Sequence, residues 1–141
     1  MRKTAFFKTA LLMFVLLLTV RLTLAQASED KARFAAEQWI VLVDDGQYEQ
    51  SWKEAAKLFQ DTVTSTDWQT KARAERDQLG TRESRKLKEI KSASAVKGLP
   101  TGQYVQVKYQ SAYAKKKTAT ETVIAVLESD GTWRVAAYSI N

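Results

Sequence analysis

The chain has 141 residues, with 22 Lys and Arg against 16 Asp and Glu, a formal charge of +6, and neither a His nor a Cys. Without imidazole or thiolate it holds no Ser-His-Asp or Cys-His dyad, no disulfide, and no metal site built from those ligands. Its five glycines are scattered instead of forming a phosphate-cradling loop, so no cofactor or metal is implied, and catalysis would rest on carboxylates, Tyr, Lys or Ser.

Arg2, Lys3 and Lys8 lead into residues 10–20, which carry no charge, and Ala25-Gln26-Ala27 follows with small residues where a signal peptidase reads. Residues 1–27 are read as a secretory signal peptide cleaved after Ala25 or Ala27, which makes the protein periplasmic or extracellular. The apolar run falls short of the roughly 20 residues that span a bilayer. Arg21 interrupts the usual pattern and leaves an uncleaved membrane anchor as the alternative. Residues 28–141 then form a single domain. Arg2, Lys3, Lys8 and Arg21 leave with the signal, so 18 basic and 16 acidic residues remain. The remaining charge is uneven: residues 28–79 hold 7 basic and 11 acidic side chains, and residues 80–141 hold 11 and 5.

A helix is expected from Ser28, with Phe34, Ala35, Trp39, Ile40, Leu42 and Val43 as its apolar stripe and Asp44-Asp45-Gly46 closing it. A second carries Tyr48, Trp52, Ala55, Ala56, Phe59 and Val63 at spacings of three and four. A third starts at Thr66, with Gln69 completing a capping box, lines up Trp68, Ala72, Glu75 and Leu79, and ends at Gly80. Residues 81–96 read as a Lys-rich edge strand in which Leu87 and Ile90 are out of phase, the mark of a bulge. Residues 98–102 turn the chain. Val105, Val107 and Tyr109 alternate with Gln106, Lys108 and Gln110 in a half-buried strand, and residues 115–118 form the next loop.

The last hairpin spans residues 121–140 around Ser129-Asp130-Gly131. A two-residue turn at Asp130-Gly131 would leave both faces mixed. A three-residue loop with Gly131 left-handed pairs Glu128 with Thr132 and collects Val123, Ala125, Leu127, Trp133, Val135 and Ala137 on one face, so this register is preferred. Thr122, Ile124, Val126, Arg134 and Tyr138 then share the opposite face. The whole reads as an α+β domain, three helices packed on one face of a curved, cone-like four-stranded antiparallel sheet.

Ala36, Trp39, Val43, Asp44, Gly46, Tyr48, Ser51, Trp52, Ala55, Ala56, Phe59, Trp68, Leu79, Gly80 and Arg82 form the first part of a wider pattern. It continues through Leu99, Pro100, Gly102, Tyr104, Glu121, Asp130-Gly131, Trp133-Arg134-Val135, Tyr138 and Ile140. Together they resemble the bacterial exported family catalogued as domain of unknown function 4019. The order of elements is more distantly similar to the cone-shaped nuclear transport factor 2 superfamily. The first resemblance implies no assigned activity. The second implies a shape shared by isomerases, dehydratases and non-catalytic association modules.

Glu121 is the one catalytic candidate. In phase with the apolar face beside Tyr104 or Tyr109, its carboxyl would have its pKa raised by desolvation and serve as a general acid or base. The plainer reading pairs it at the sheet margin with Arg82, Arg134 or a Lys. Trp52, Trp68, Tyr104, Tyr109, Trp133, Arg134 and Tyr138 are the candidates for lining a cavity or an interface. The function expected is a non-catalytic exported domain binding a small apolar ligand or a protein partner, with a homodimer through Ile124, Val126 and Tyr138 as an extension. The alternative is a cone-fold enzyme using carboxylate and tyrosine acid-base chemistry. Nucleic acid is not expected. Membrane contact is expected only through an uncleaved signal or by weak electrostatic attraction of Arg82, Arg85, Lys86, Lys88, Lys91 and Lys115-Lys116-Lys117.

Overall fold

The computed structural model describes the backbone of residues 3–141 and the side chains of residues 23–141. The signal-peptide reading therefore lies largely outside the described side chains. Four helices precede four strands: α1 Lys3–Asp44, α2 Tyr48–Glu54, α3 Lys57–Thr62, α4 Ser65–Leu79, β1 Arg82–Ala93, β2 Tyr104–Tyr113, β3 Lys116–Leu127 and β4 Trp133–Ile140. The strands pair antiparallel in the order β1-β2-β3-β4, as the α+β reading expects.

Three helix boundaries differ from expectation. The first helix passes through Ser28 unbroken, so that residue caps nothing. The second splits at Ala55-Ala56, whose ψ angles of 163° and 151° are extended. Tertiary bonding overrides the helical period there. The Ala56 N–H donates to the Val135 carbonyl at 2.9 Å, and the Gln60 amide donates to the carbonyls of Trp52, Lys53 and Ala55, which satisfies the open end of α2. In α4 the cap is Thr64, which accepts from the Asp67 N–H at 3.2 Å, two residues ahead of the expected Thr66.

The helices cover the inner face of the sheet. Ala32, Ala36, Trp39, Ile40 and Val43 from α1 meet Val105, Val107, Tyr109, Val123, Ala125 and Val135 in one buried cluster, joined by Phe59 and Trp68. Phe34, expected in this stripe, is 63% exposed. It precedes Val43 by nine residues, and at about 100° per residue that puts it on the opposite side of the helix.

Two bulges set which side chains face inward. In β1 the register steps between Leu87 and Glu89, leaving Lys88 unpaired, as the broken alternation implies. In β4, Ala137 pairs with Ile124 and Val135 with Ala125, leaving Ala136 as the extra residue. The three-residue loop is present: the Glu128 N–H donates to the Thr132 carbonyl, and Gly131 has φ +80°. Leu127 opposite Trp133 and Ala125 opposite Val135 follow the preferred register, but beyond Ala136 the faces exchange. Tyr138, expected outside, turns into the core, and Ala137 turns out. The outer face is covered by the chain itself: Tyr104, Val126, Ala136 and Ala56 are buried there, with Leu58, Val96, Leu99 and Ile124 packed against them. The patch of Ile124, Val126 and Tyr138 expected to hold a dimer is therefore dispersed. The expected loop at residues 115–118 is also shorter, because β3 begins at Lys116.

Candidate functional site

Two constellations occupy the inside of the sheet. The first is aromatic. Trp39, Phe59, Trp68 and Tyr138 stack with centroid separations of 5.1–6.2 Å, mostly edge-on or tilted. These are the offset geometries that ring quadrupoles favour. Each buried indole N–H is satisfied: Trp39 donates to the Ser51 carbonyl at 2.7 Å and Trp68 to the Ser51 hydroxyl at 2.9 Å. Ser51 itself is fully buried and donates to the Tyr48 carbonyl. One small polar residue thus orients two tryptophans from different helices. Rings fill the hollow in which an apolar ligand would sit.

The second constellation is ionic. Glu121 is completely buried on β3, not at the sheet margin. Its partner is Arg85 of β1, which donates from Nε to Oε2 at 2.6 Å and from Nη2 to Oε1 at 3.1 Å. Arg85 simultaneously grips Asp44, the last residue of α1, through Nη1 at 2.6 Å and Nη2 at 3.0 Å. Arg82 donates to Asp44 Oδ2 at 3.0 Å, and Arg76 of α4 reaches Asp44 Oδ1 at 3.2 Å. Arg76 also donates to the hydroxyls of Tyr113 and Tyr138, each at 2.8 Å, which joins the ionic cluster to the rings. Burial alone would raise the Asp44 carboxyl, but the hydrogen bonds and charge of Arg85, with Arg76 and Arg82 behind it, hold it below the ordinary carboxylate range. Burial likewise opposes the charge on Arg85, and its two carboxylate partners more than offset that.

Each Glu121 oxygen already accepts from the Arg85 guanidinium, and the side chain is fully buried. The open cleft of about 640 Å³ beside this cluster is lined by Asp44, Arg76, Arg82 and Lys115 among others, and it does not include Glu121. Arg82 and Arg85, two of the cations considered for weak electrostatic attraction, are paired with Asp44, and Arg85 also with Glu121. Lys117 is held by Glu83, and Lys115 donates to the Asp77 carbonyl. Arg76 had no sequence signal beyond its charge, and Asp44 stood out only in a helix-ending turn and in the family pattern, neither of which names its partners.

The remaining candidates scatter. Tyr104 lies on the outer face and donates to the Pro100 carbonyl at 2.7 Å. Trp52 is half-buried and donates to the Val63 carbonyl at 2.8 Å. Arg134 is bound by Glu128 and Asp130 in the hairpin. Tyr109 lies against the inner face opposite Glu121, and burial pushes its phenol up to about 12. Its hydroxyl and that of Ser111 are buried without a hydrogen-bond partner among the described residues. Trp133 floors a surface groove of about 450 Å³ together with Trp39, Val135 and Ala35, walled by Phe34 and rimmed by Lys53, Glu54 and Arg134. Among the described residues, no group of three or more acids is placed to hold a metal ion, and no helix is long and apolar enough to cross a membrane.

No curated protein matches the chain. Residues 35–138 match the model of a family described as a protein of unknown function, DUF4019. That span runs from the packed half of α1 through the inward-turned Tyr138 of β4, and the chain belongs to the DUF4019 family.

Proposed function

We propose that this domain is an exported, non-catalytic module that works by holding a protein partner on the surface formed by the outer side of α1 and the β3–β4 hairpin. The observation that carries this reading is the division of apolar surface. The inside is filled by four stacked rings and sealed by the Glu121–Arg85–Asp44 cluster, whereas Phe34 and Val41 of α1 stand 63% and 48% exposed, Phe34 at the wall of an apolar-floored groove. Contiguous exposed apolar surface next to a charged rim is characteristic of association sites. Export rests on Arg2, Lys3 and Lys8, the uncharged run after them, and the Ala25-Gln26-Ala27 cleavage signal.

A photo-reactive amino acid placed at position 34, compared with one at position 88 on the far edge of the sheet, tests the reading in the cell envelope. Cross-linked protein at 34 and none at 88 is the expected result. Equal labelling, or none at either position, removes the assigned surface. Intact mass of the same material reports whether the N-terminus begins after Ala25 or Ala27.

A further inference from the structure

Elsewhere on the surface, cations and acids that come near each other pair: Lys53 with Glu49, Lys57 with Asp61, Lys108 with Glu89, and Lys117 with Glu83. The cleft of about 640 Å³ at the ends of α1 and α4 departs from that pattern. Asp45, Asp77, Arg82 and Lys115 all line it, yet among the described residues no ion pair joins either acid to either cation, and neither carboxylate accepts a hydrogen bond. The two cations are tethered without being used up. Arg82 donates from Nε alone, to Asp44 Oδ2 at 3.0 Å, which leaves both Nη groups of its planar fork unengaged. Lys115 donates once, to the Asp77 carbonyl at 2.9 Å, and keeps its other donors. Behind them the wall is fixed. The three guanidinium groups of Arg76, Arg82 and Arg85 share the two carboxylates of Asp44 and Glu121, so this network holds one positive charge in excess, and Arg82 is its exposed member.

We infer that this cleft binds a small zwitterion, a molecule bearing both a carboxylate and an ammonium group, as a free amino acid or a short peptide does. The carboxylate takes the open Nη fork of Arg82, whose geometry matches its two oxygens, and the ammonium group takes Asp45 or Asp77. The balance of charge selects this class. Asp44, Asp45 and Asp77 offset Arg76, Arg82 and Lys115 around the cleft, so a simple anion or a simple cation is attracted by one set and repelled by the other, whereas a ligand of both signs gains from each. The size agrees, since small-molecule sites occupy roughly 300–1,000 Å³. Part of the ordering is already done: Nε of Arg82 is anchored before any ligand arrives, which reduces the entropy lost on binding. Gly80 makes room for the second cation, because a Cβ there would stand 3.4 Å from Lys115 Cγ. The cleft shares no lining residue with the groove assigned to a protein partner, so this inference stands apart from that reading.

Chemical-shift titration of the purified, isotope-labelled protein with glycine and with triglycine tests the site. N-acetylglycine, which lacks the ammonium group, and glycinamide, which lacks the carboxylate, are the controls. Saturable shifts grouped around Asp45, Asp77, Arg82 and Lys115 are expected, with affinity lowered about tenfold or more when either end is blocked, because each end is held by charge-assisted hydrogen bonds. Tighter binding of glycine assigns the site to free amino acids, and tighter binding of triglycine assigns it to peptides. Arg82→Gln should weaken both probes about tenfold or more, with circular dichroism and melting temperature near native because Asp44 keeps Arg76 and Arg85. Asp45→Asn combined with Asp77→Asn breaks no contact of the network, so it carries the test even if Arg82→Gln proves unstable, and it should erase the preference for glycine over N-acetylglycine. No shift with either probe at about 10 mM, where even a millimolar site fills, overturns the inference. So does N-acetylglycine binding as tightly as glycine, or a double asparagine variant that retains the preference.

Discussion

Replacing Arg85 by methionine keeps most of the apolar stem and removes the cation that hydrogen-bonds both Asp44 of α1 and Glu121 of β3. Glu121 is fully buried, and in the variant its nearest cation is Arg76, 3.9 Å away and committed to Tyr113 and Tyr138. Stranding a buried charge by deleting its partner costs about 3–5 kcal/mol, out of a total stability of about 5–15 kcal/mol for a domain. At about 4 °C per kcal/mol for a domain of this size, the melting temperature should fall by roughly 12–20 °C. Urea titration followed by tryptophan fluorescence measures the loss directly, because Trp39 and Trp68 lie in the core. The double variant Arg85→Met with Glu121→Leu should recover most of the loss, since Asp44 keeps Arg76 and Arg82 and no uncompensated carboxylate remains. A single variant within about 1 kcal/mol of the native protein, or a double variant no better than the single, would refute the account of the cluster as an internal lock.

Trp68→Ala removes a ring in contact with Trp39, Phe59 and Tyr138 and the donor to Ser51; it should cost about 3–5 kcal/mol in denaturant titration, and a cost below about 1 kcal/mol would mean that the rings do not fill the hollow. Gly131→Ala meets no atom within 4 Å but forces an L side chain to φ +80°, whereas Gly80→Ala combines φ +75° with a Cβ 3.2 Å from that of Ala114. The first should cost about 1–2 kcal/mol, and the second more. Tyr109→Phe deletes a buried hydroxyl that has no partner, so stability should hold or rise. The native Tyr109 phenol, raised to about 12, stays protonated in the folded protein after an unfolded tyrosine, at about 10, has ionised. Burial therefore opposes its ionisation, so stability should be unaffected by Tyr109 below about pH 10 and fall as pH rises from about 10 to 12; ultraviolet difference titration should show Tyr109, with the still higher Tyr138, ionising after the other tyrosines or on unfolding.

The parts of this structure that were legible are those governed by neighbours in sequence. Asp130-Gly131 between β-rich runs dictates the hairpin, and Leu87 and Ile90, three apart in a strand, betray the bulge at Lys88. What was hidden depends on distant contacts. Ala55-Ala56 reads as helix until the carbonyl of Val135 competes for the Ala56 N–H. Ala136 reads as one more strand residue until pairing with β3 squeezes it out, and that single unpaired residue transfers Tyr138 from outside to core. Glu121 could be placed on the inner face by alternation. Its partner could not be named, because Arg85 lies 36 residues away and looks like the other cations around it. Phe34 is a plainer failure of the periodic reading: an aromatic ring was credited to a stripe whose angular position it does not share.

The two margins of the sheet are defended by unlike means. Along β1 the defence is spread over Lys86, Lys88 and Lys91, so no one substitution undoes it. Along β4 the Val135 carbonyl is taken by the Ala56 N–H, a single clasp supplied by the gap between two short helices. A change that straightens this gap into continuous helix would withdraw the clasp and leave an unsatisfied strand facing outward. Two molecules would then pair edge to edge through β4 while β1 continued to repel its neighbours, so association would stop at a dimer.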